Sequence, residues 1–332
     1  MFDTNAYSHT GRTVVDEIQW ARGGEQLWLS RHTRKRILVV ASGDLSQLIN
    51  IPLNRVDPAE QDPDGLRFIS GWIFRQLVSI PSVIEYATGM KIQIFSDLHI
   101  EFEAFNPIDV GADVVILAGD IHTKARGVTW ANTVFSTPTI YVLGNHEYYG
   151  GHLNHTLRKM KEAAAQHVHV LENEVFICEQ TRFLVATGWT DFSLTGDVMA
   201  ASAIAWEQMN DFKMIRVGDS FRRLRPLDLI ERSKATYQWL VHELEKPFSG
   251  RTIVVTHHAP LPQGDIDHYP AHLDAAYCND WRHLMENVDI WVYGHTHFCA
   301  DLTVGRCRVV SNPKGYPRED TGFNPSFFVE LT

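Results

Sequence analysis

The sequence contains little cysteine, four residues in 332, and no Cys-x-x-Cys pair. Zinc knuckles and disulfide frameworks both depend on recurring cysteine spacings, so neither is indicated. This usage is typical of a protein kept in a reducing compartment, and we expect a cytoplasmic protein. We also expect the cysteines to be small buried hydrophobic side chains. They are Cys178, Cys278, Cys299 and Cys307.

Positive charge is also scarce. Lysine and arginine total 30 against 40 aspartates and glutamates, which gives a net charge of −10 with histidine neutral. A broad nucleic-acid groove needs clustered positive charge, so this balance argues against a nucleic-acid partner. It is compatible with a small phosphorylated substrate that metal ions hold.

No apolar run is long enough to cross a membrane. The most apolar stretch, residues 68–84, contains Arg75 and is broken by Pro81, so it is too polar and too short to span a bilayer. The first 13 residues have no apolar segment of the kind found in secretory signals. We therefore expect no membrane association, and a buried or amphipathic helix over residues 68–84.

Strands and helices alternate from residue 90 onward. Apolar segments at residues 91–95, 113–118, 139–143, 252–256 and 289–293 predict five strands. Helices are predicted at about 124–135, 152–166 and 227–244, the last with Leu229, Leu240 and Leu244 on one face. The segment 113–118 is apolar throughout, as expected for a strand buried on both faces. Residues 90–332 therefore form an α/β domain.

Polar side chains follow each of these five strands. The segments are Ser96-Asp97-Leu98-His99, Gly119-Asp120-Ile121-His122, Gly144-Asn145-His146-Glu147, His257-His258 and Gly294-His295-Thr296-His297. Any one of them could be an ordinary turn, where a carboxylate often bonds the backbone. In open α/β sheets, however, ligands bind at the carboxyl ends of the strands. Five polar strand ends in one domain therefore predict one shared site.

The donors in these segments are carboxylates, an amide and imidazoles, without a thiolate. Such oxygen and nitrogen ligands suit Mn²⁺, iron or Zn²⁺ better than Cu(I) or an iron–sulfur cluster. The sequence thus predicts a divalent metal site at the strand ends.

As a set, the segments SDLH, GDIH, GNHE, VVTHHAP and GHTH resemble the five sequence blocks of the calcineurin-like metallophosphoesterases. The resemblance covers residues 90–332 and implies a four-layer αββα sandwich of two mixed β-sheets flanked by helices. It also implies two divalent metal ions. Asp97, His99, Asp120 and His297 would hold the first, and Asp120, Asn145, His257 and His295 the second, with Asp120 bridging. His258 is a further candidate for contact with metal or substrate.

The resemblance implies hydrolysis of a phosphate ester by a water activated between two ions about 3.5–4 Å apart. His146, beside Asn145, would be the general acid for the leaving group, a role typically worth about 10²–10⁴-fold in rate. Its alternative role is to hydrogen-bond a metal ligand and no more.

The substrate is not specified by the fold. The acidic balance favours a phosphomonoester or phosphodiester of a small molecule, while a nuclease, a protein phosphatase and a non-catalytic scaffold are the alternatives. A scaffold is disfavoured because every ligand position is filled. The loop-rich segment 187–226 is expected to contribute substrate walls. Secondary candidates, for which packing or turn formation is the favoured role, are Trp189, Asp191, Tyr148, Tyr149 and Asn312.

Residues 1–89 contain none of the five segments. One strand at 37–41 and two or three helices are predicted there. We expect an accessory extension that packs loosely or is partly disordered, and the native product could begin at Met90. Nothing in the sequence specifies an oligomeric state.

Overall fold

The computed structural model describes residues 89–262 and 272–331, together with the backbone of four strands before residue 53. The chain divides into two compact units, Met1–Tyr86 and Ala87–Thr332. In the first unit the strands form an antiparallel sheet in chain order: β1 (Glu17–Arg22), β2 (Glu25–Ser30), β3 (Ile37–Ala41) and β4 (Leu48–Pro52). The strand predicted at 37–41 is confirmed as β3. The helix predicted over 68–84 lies outside the described residues.

The second unit contains two large sheets. In the first sheet β5 (Met90–Phe95), β6 (Val114–Ala118), β7 (Thr139–Val142) and β8 (Val168–Leu171) run parallel. The last strand, β17 (Phe328–Leu331), pairs antiparallel with β5 and makes the sheet mixed. The strands predicted at 91–95, 113–118 and 139–143 are thus confirmed within a residue or two.

The second sheet has six strands. They are β9 (Glu174–Cys178), β10 (Thr181–Ala186), β13 (Arg251–Thr256), β14 (Ile290–Tyr293), β15 (Ala300–Val304) and β16 (Cys307–Ser311). The order is β15-β16-β14-β13-β10-β9, with a parallel centre and antiparallel edges. Between β10 and β13 in the chain, β11 (Arg216–Val217) and β12 (Arg222–Arg223) form a small antiparallel hairpin.

Five α-helices are described outside the sheets. They are α1 (Arg126–Val134), α2 (Leu153–Ala163), α3 (Val198–Gln208), α4 (Asp211–Met214) and α5 (Pro226–Glu245). α5 begins at a proline, which suits the first helical position, and the Asp228 carboxylate accepts a hydrogen bond from the Arg225 amide at 2.8 Å. It buries Leu229, Leu240 and Leu244, as the sequence predicts. No helix in the described part of the chain has the length and apolarity to cross a bilayer.

The two sheets pack face to face, with helices on their outer faces. In β6, Val114, Ile116 and Ala118 belong to the apolar layer between the sheets, whereas Val115 and Leu117 face the helices. This two-residue alternation explains why the whole segment is apolar, since both faces of the strand are buried. The resulting order of helices, sheet, sheet and helices is the expected four-layer sandwich.

The cysteines only partly follow the expectation of burial. Cys278 and Cys307 are buried, but Cys178 is half-buried and Cys299 is exposed. The prediction is wrong for Cys299 because it lies in the loop after β14, and incomplete for Cys178 because it ends the edge strand β9. All four thiols are free.

Candidate metal centre

The polar strand ends have an unusual backbone conformation. Five of the seven candidate ligands have positive φ: Asp97 (49°), His99 (44°), Asp120 (54°), His295 (70°) and His297 (55°). Residues with a side chain rarely adopt this left-handed region, and such strain is concentrated at functional sites. Each loop therefore turns sharply at its ligand.

Glycines beside the ligands make room for ligands from other strands. A Cβ atom on Gly144 would lie 2.1 Å from Asp120 Oδ1, and one on Gly119 would lie 2.3 Å from His257 Nδ1. Neither contact is sterically possible, so glycine is required for the approach of β6 to β7 and of one sheet to the other. The Gly-Asp and Gly-Asn pairs in the sequence thus have a packing origin.

One group of donors comes from the loops after β5 and β14. The donor atoms of Asp97, His99 and His297 all lie within 4.8 Å of one another. His99 Nε2 is 3.1 Å from His297 Nε2, which is 3.6 Å from Asp97 Oδ1. The Asp97 carboxylate also accepts a hydrogen bond from the His295 amide at 3.0 Å, which joins the two sheets at this edge.

A second group comes from the loops after β6, β13 and β14. The donor atoms of Asp120, His257 and His295 also lie within 4.8 Å of one another. Asn145 Oδ1 lies 3.1 Å from His257 Nε2. His295 Nε2 is buried without a hydrogen-bond partner, which is costly for a polar atom unless another ligand satisfies it.

Asp120 lies between the two groups. Its Oδ1 is 3.5 Å from His257 Nε2, and its Oδ2 is 3.9 Å from His99 Nε2. The two oxygens of one carboxylate therefore face histidines of different groups. The amide of His146 donates a hydrogen bond to Oδ1 at 2.8 Å and fixes this orientation.

In three of the candidate ligands, the histidine Nδ1 atom lies within hydrogen-bond distance of an oxygen acceptor. The pairs are His257 Nδ1 with the Ala118 carbonyl (2.9 Å), His297 Nδ1 with Glu319 (2.6 Å) and His99 Nδ1 with Glu101 (3.3 Å). An acceptor at Nδ1 holds a proton on that nitrogen, so Nε2 keeps its lone pair for a metal ion. Glu101 and Glu319 could not be identified from the sequence, because neither belongs to a recognisable spacing.

The Asn145 amide is oriented in the same way. Its Nδ2 donates hydrogen bonds to Asp211 Oδ1 at 2.9 Å and to the Tyr149 hydroxyl at 3.0 Å. The amide oxygen is therefore the atom that faces His257. Tyr149 also donates to Asp211, at 2.8 Å, so the three side chains form one buried network.

Glu147, the last residue of the Gly-Asn-His-Glu segment, joins two ligand loops. Its buried carboxylate accepts hydrogen bonds from the amides of Asp120 (2.9 Å), Ile121 (2.8 Å) and Gly144 (2.7 Å). The Tyr141 hydroxyl donates a further bond at 2.8 Å. The carboxylate thus supports the loops that present Asp120 and Asn145, a role that the sequence did not indicate.

His146 lies at the edge of the first donor group. Its Nδ1 is 3.0 Å from Glu101 Oε1, and its Nε2 is 3.1 Å from the Tyr316 hydroxyl and 3.9 Å from Asp120 Oδ2. It also forms a group of close donors with His99 and Asp120. The ring therefore presents Nε2 to the same cleft as the candidate ligands.

His258 has a different environment from His257. Its Nδ1 lies 3.2 Å from the Thr187 carbonyl, and its ring packs between those of Trp189 and His295. It belongs to none of the possible metal-binding groups within the described residues. Buried Trp189 and Tyr148 pack together, and the Asn312 amide donates to the Ile94 carbonyl, so all three have core roles.

The charges at the site are poorly balanced without a cation. Burial raises the pKa of Asp120 well above its usual value, and the neighbouring charges of Glu147 and Asp97 raise it further. Burial lowers the pKa of His257 to about 4, so this imidazole is neutral near pH 7. Crowded carboxylates and imidazoles, with no thiolate, are the donors that a divalent metal ion of the Mn²⁺, iron or Zn²⁺ class requires.

A cleft of about 480 Å³ opens over both donor groups. Asp120, Asn145, His146, His295 and His297 lie at its base. The segment 187–226 contributes Gln208, the last residue of α3, and Met209 and Asn210, which connect α3 to α4. This segment was expected to provide a wall, and it does so at that junction. It contains the two helices α3 and α4.

Residues 90–299 match the family model of the calcineurin-like phosphoesterases. An uncharacterized protein of Acanthamoeba polyphaga mimivirus is 25% identical over 212 residues, which cover 58% of this chain and 72% of the viral protein. The crystal structure of phosphopantetheinyl hydrolase from Mycobacterium tuberculosis has the same fold, with a TM-score of 0.55 and 20% identity over 73% of this chain and 96% of that one. The chain belongs to the calcineurin-like phosphoesterase family and is a metal-dependent phosphoric ester hydrolase.

Proposed function

We propose that the protein hydrolyses a phosphodiester or phosphomonoester of a small molecule at a dinuclear metal site. The observation that carries this proposal is the position of Asp120. Its two carboxylate oxygens face His257 and His99, which belong to different donor groups. One carboxylate so placed can serve both ions of a pair.

The residues divide into two ligand sets. Asp97, His99, Asp120 and His297 would hold one ion, and Asp120, Asn145, His257 and His295 the other. When bound, two divalent ions supply positive charge to the phosphate oxygens and lower the pKa of water, so that water attacks phosphorus near neutral pH. Mn²⁺, iron and Zn²⁺ are the ions that this donor set favours.

His146 is suited to donate a proton to the leaving group. Glu101 accepts from its Nδ1 at 3.0 Å and orients the ring, while Nε2 faces the cleft. A proton transferred from Nε2 to the departing oxygen would prevent formation of an alkoxide. Asn145 would orient a ligand oxygen, since Asp211 and Tyr149 fix its amide.

The size and charge of the cleft support a small substrate over nucleic acid. Its volume of about 480 Å³ is typical of small-molecule sites. None of the described lining residues is lysine or arginine, whereas binding along a nucleic-acid backbone relies on such cations. The name of the structural relative adds a phosphopantetheine ester to the substrates worth testing.

The test uses the full chain, freed of metal and then reconstituted with Mn²⁺, Fe²⁺ or Zn²⁺. The panel contains bis(4-nitrophenyl) phosphate, 4-nitrophenyl phosphate, a phosphopantetheine ester, a cyclic nucleotide, single-stranded DNA and a phosphopeptide. We expect turnover of small esters that depends on the metal and is absent in Asp120→Asn. Preferential cleavage of DNA or of the phosphopeptide would identify a nuclease or a protein phosphatase. A metal-loaded protein that cleaves nothing would support a scaffold.

A further inference from the structure

Apart from the histidines and the other candidate ligands, the side chains that line the cleft are acidic or uncharged. Glu319 and Asp320 are both exposed on the loop that follows β16. Lys314, in the same loop, is directed elsewhere, because its ammonium donates to Glu103 at 2.8 Å. Arg318 is exposed but is not among the lining residues.

An aromatic ring packs against one histidine of each donor group. The Tyr277 ring stacks on His295 with centroids 4.9 Å apart, and the Tyr316 ring lies over His99 at 4.4 Å. Both tyrosines line the cleft, together with Met209 and the 45% exposed Phe298. Such walls favour contact with uncharged apolar or aromatic groups.

We propose that the cleft selects esters with one phosphate and an uncharged, apolar or aromatic organic group, and that it disfavours esters with a second anionic group. The proposal rests on the proposed function, because the reacting phosphate is taken to lie over the two donor groups. A second phosphate would then approach the exposed carboxylate of Asp320 with no lysine or arginine of the described lining to balance it. Like-charge contacts of this kind reduce affinity for the wrong ligand.

The kinetic test compares two substrates that differ by one phosphate. They are thymidine 5′-(4-nitrophenyl phosphate) and the same ester with an added 3′-phosphate. We expect the metal-loaded protein to cleave the first with a kcat/KM about tenfold or more above that of the second. Equal values, or a preference for the doubly charged ester, would overturn the proposal.

Charge variants then test the cause of this preference. Asp320→Lys should reduce the discrimination by about three- to tenfold, and Asp320→Asn by less, with smaller effects at high salt. Glu179→Lys is the matched control, since it makes the same charge change at an exposed position before β10, at the opposite end of that strand from the site. If Asp320→Lys leaves the ratio of the two kcat/KM values unchanged, the assignment to this wall is wrong.

The apolar wall is tested with Phe298→Ala. This change should raise KM for the uncharged nitrophenyl ester by about three- to tenfold with little effect on kcat, because it removes a contact made equally in the ground and transition states. Phe328→Ala, which truncates a 38% exposed ring on β17, is the control. An unchanged KM in Phe298→Ala would exclude this side chain from substrate binding.

A binding measurement separates this proposal from the proposed function. Calorimetry on the Mn²⁺-loaded protein compares the affinities of phenylphosphonate and benzene-1,4-diphosphonate. The enzyme can hydrolyse neither compound. We expect tighter binding of the monophosphonate, and a smaller difference in Asp320→Lys. If the monophosphonate binds more tightly but no ester is hydrolysed, the proposed activity is refuted and the charge selection is supported. Tighter binding of the diphosphonate would refute the charge selection even in an active enzyme.

Discussion

Asn145 Nδ2 donates a 2.9 Å hydrogen bond to Asp211 Oδ1, although the two residues are 66 positions apart in the chain. Asp211 begins α4 and follows directly after Met209 and Asn210, which line the cleft. The same short segment therefore borders the substrate cleft and orients a candidate metal ligand. Changes in this wall are expected to affect metal binding as well as substrate binding.

Asp211→Ala should weaken binding of the second metal ion by about 10- to 100-fold, as is typical when the partner of a metal ligand is lost. Asp211→Asn should retain most of the affinity, because its amide oxygen can still accept from Asn145 and Tyr149. Metal titration by calorimetry, with metal content per chain measured in parallel, checks both variants. Equal affinity in Asp211→Ala and the parent protein would show that Asn145 needs no such support.

Removal of the metal should abolish turnover and lower the melting temperature. Asp97 and Asp120 are both buried at the candidate metal centre, so a cation bound there stabilises the folded state by mass action. A ligand at 100 times its Kd contributes about 2.7 kcal/mol. Thermal unfolding before and after chelation, and after return of Mn²⁺, measures this effect. Activity that survives complete chelation would contradict the metal mechanism.

Asp120→Asn and His297→Ala should each remove most of the activity. The first weakens the carboxylate that faces both donor groups, and the second removes a donor 3.1 Å from His99 Nε2. Metal analysis should find fewer bound ions in both variants. Wild-type turnover in either variant would exclude that residue from the ligand set.

His146→Ala should reduce kcat by about 10²–10⁴-fold on alkyl esters and much less on nitrophenyl esters, because only a poor leaving group needs the proton. Glu101→Gln should shift the leaving-group dependence in the same direction, since Glu101 is 3.0 Å from His146 Nδ1. A series of esters with graded leaving-group pKa values measures both slopes. Equal losses across the series would assign His146 a positioning role.

Glu147→Ala should destabilise the fold by about 2–5 kcal/mol, because several buried donors lose their acceptor at once. The donors include the amides of Asp120 and Gly144 and the Tyr141 hydroxyl. Urea unfolding of the metal-free proteins isolates this effect from any loss of metal. A change of less than 0.5 kcal/mol, in the range of ordinary surface substitutions, would show that the carboxylate is dispensable.

The central strands and the polar segments that follow them could be predicted because each is a local pattern. An apolar run such as β6 and the Gly-Asp pair after it lie within a few residues of each other. Asp211, Glu319 and Tyr316 could not be found in this way, since their contacts with Asn145, His297 and His146 exist only after the chain has folded. The edge strand β9 was not predicted, although four of its five residues are apolar; in the fold its residues alternate between half-buried and exposed positions, as an edge strand does.

The last prediction concerns the boundary near residue 90. β5 begins at Met90, and its first residue pairs with Leu331 of β17, so the first and last strands of the second unit are neighbours in one sheet. Every candidate ligand lies after this point, and the two compact units separate at residues 86 and 87. A unit with its own core, whose first and last strands pair with each other, is expected to fold alone.

The chain shortened to residues 90–332 should therefore fold, bind metal and retain kcat/KM within about threefold of the full chain, with a matching thermal transition. His297→Ala in the shortened chain is the control for activity that depends on the same site. A soluble, folded but inactive product would show that the first 89 residues contribute to catalysis. An insoluble product would show that they cover an apolar surface of the second unit, because such a surface exposed by truncation drives aggregation.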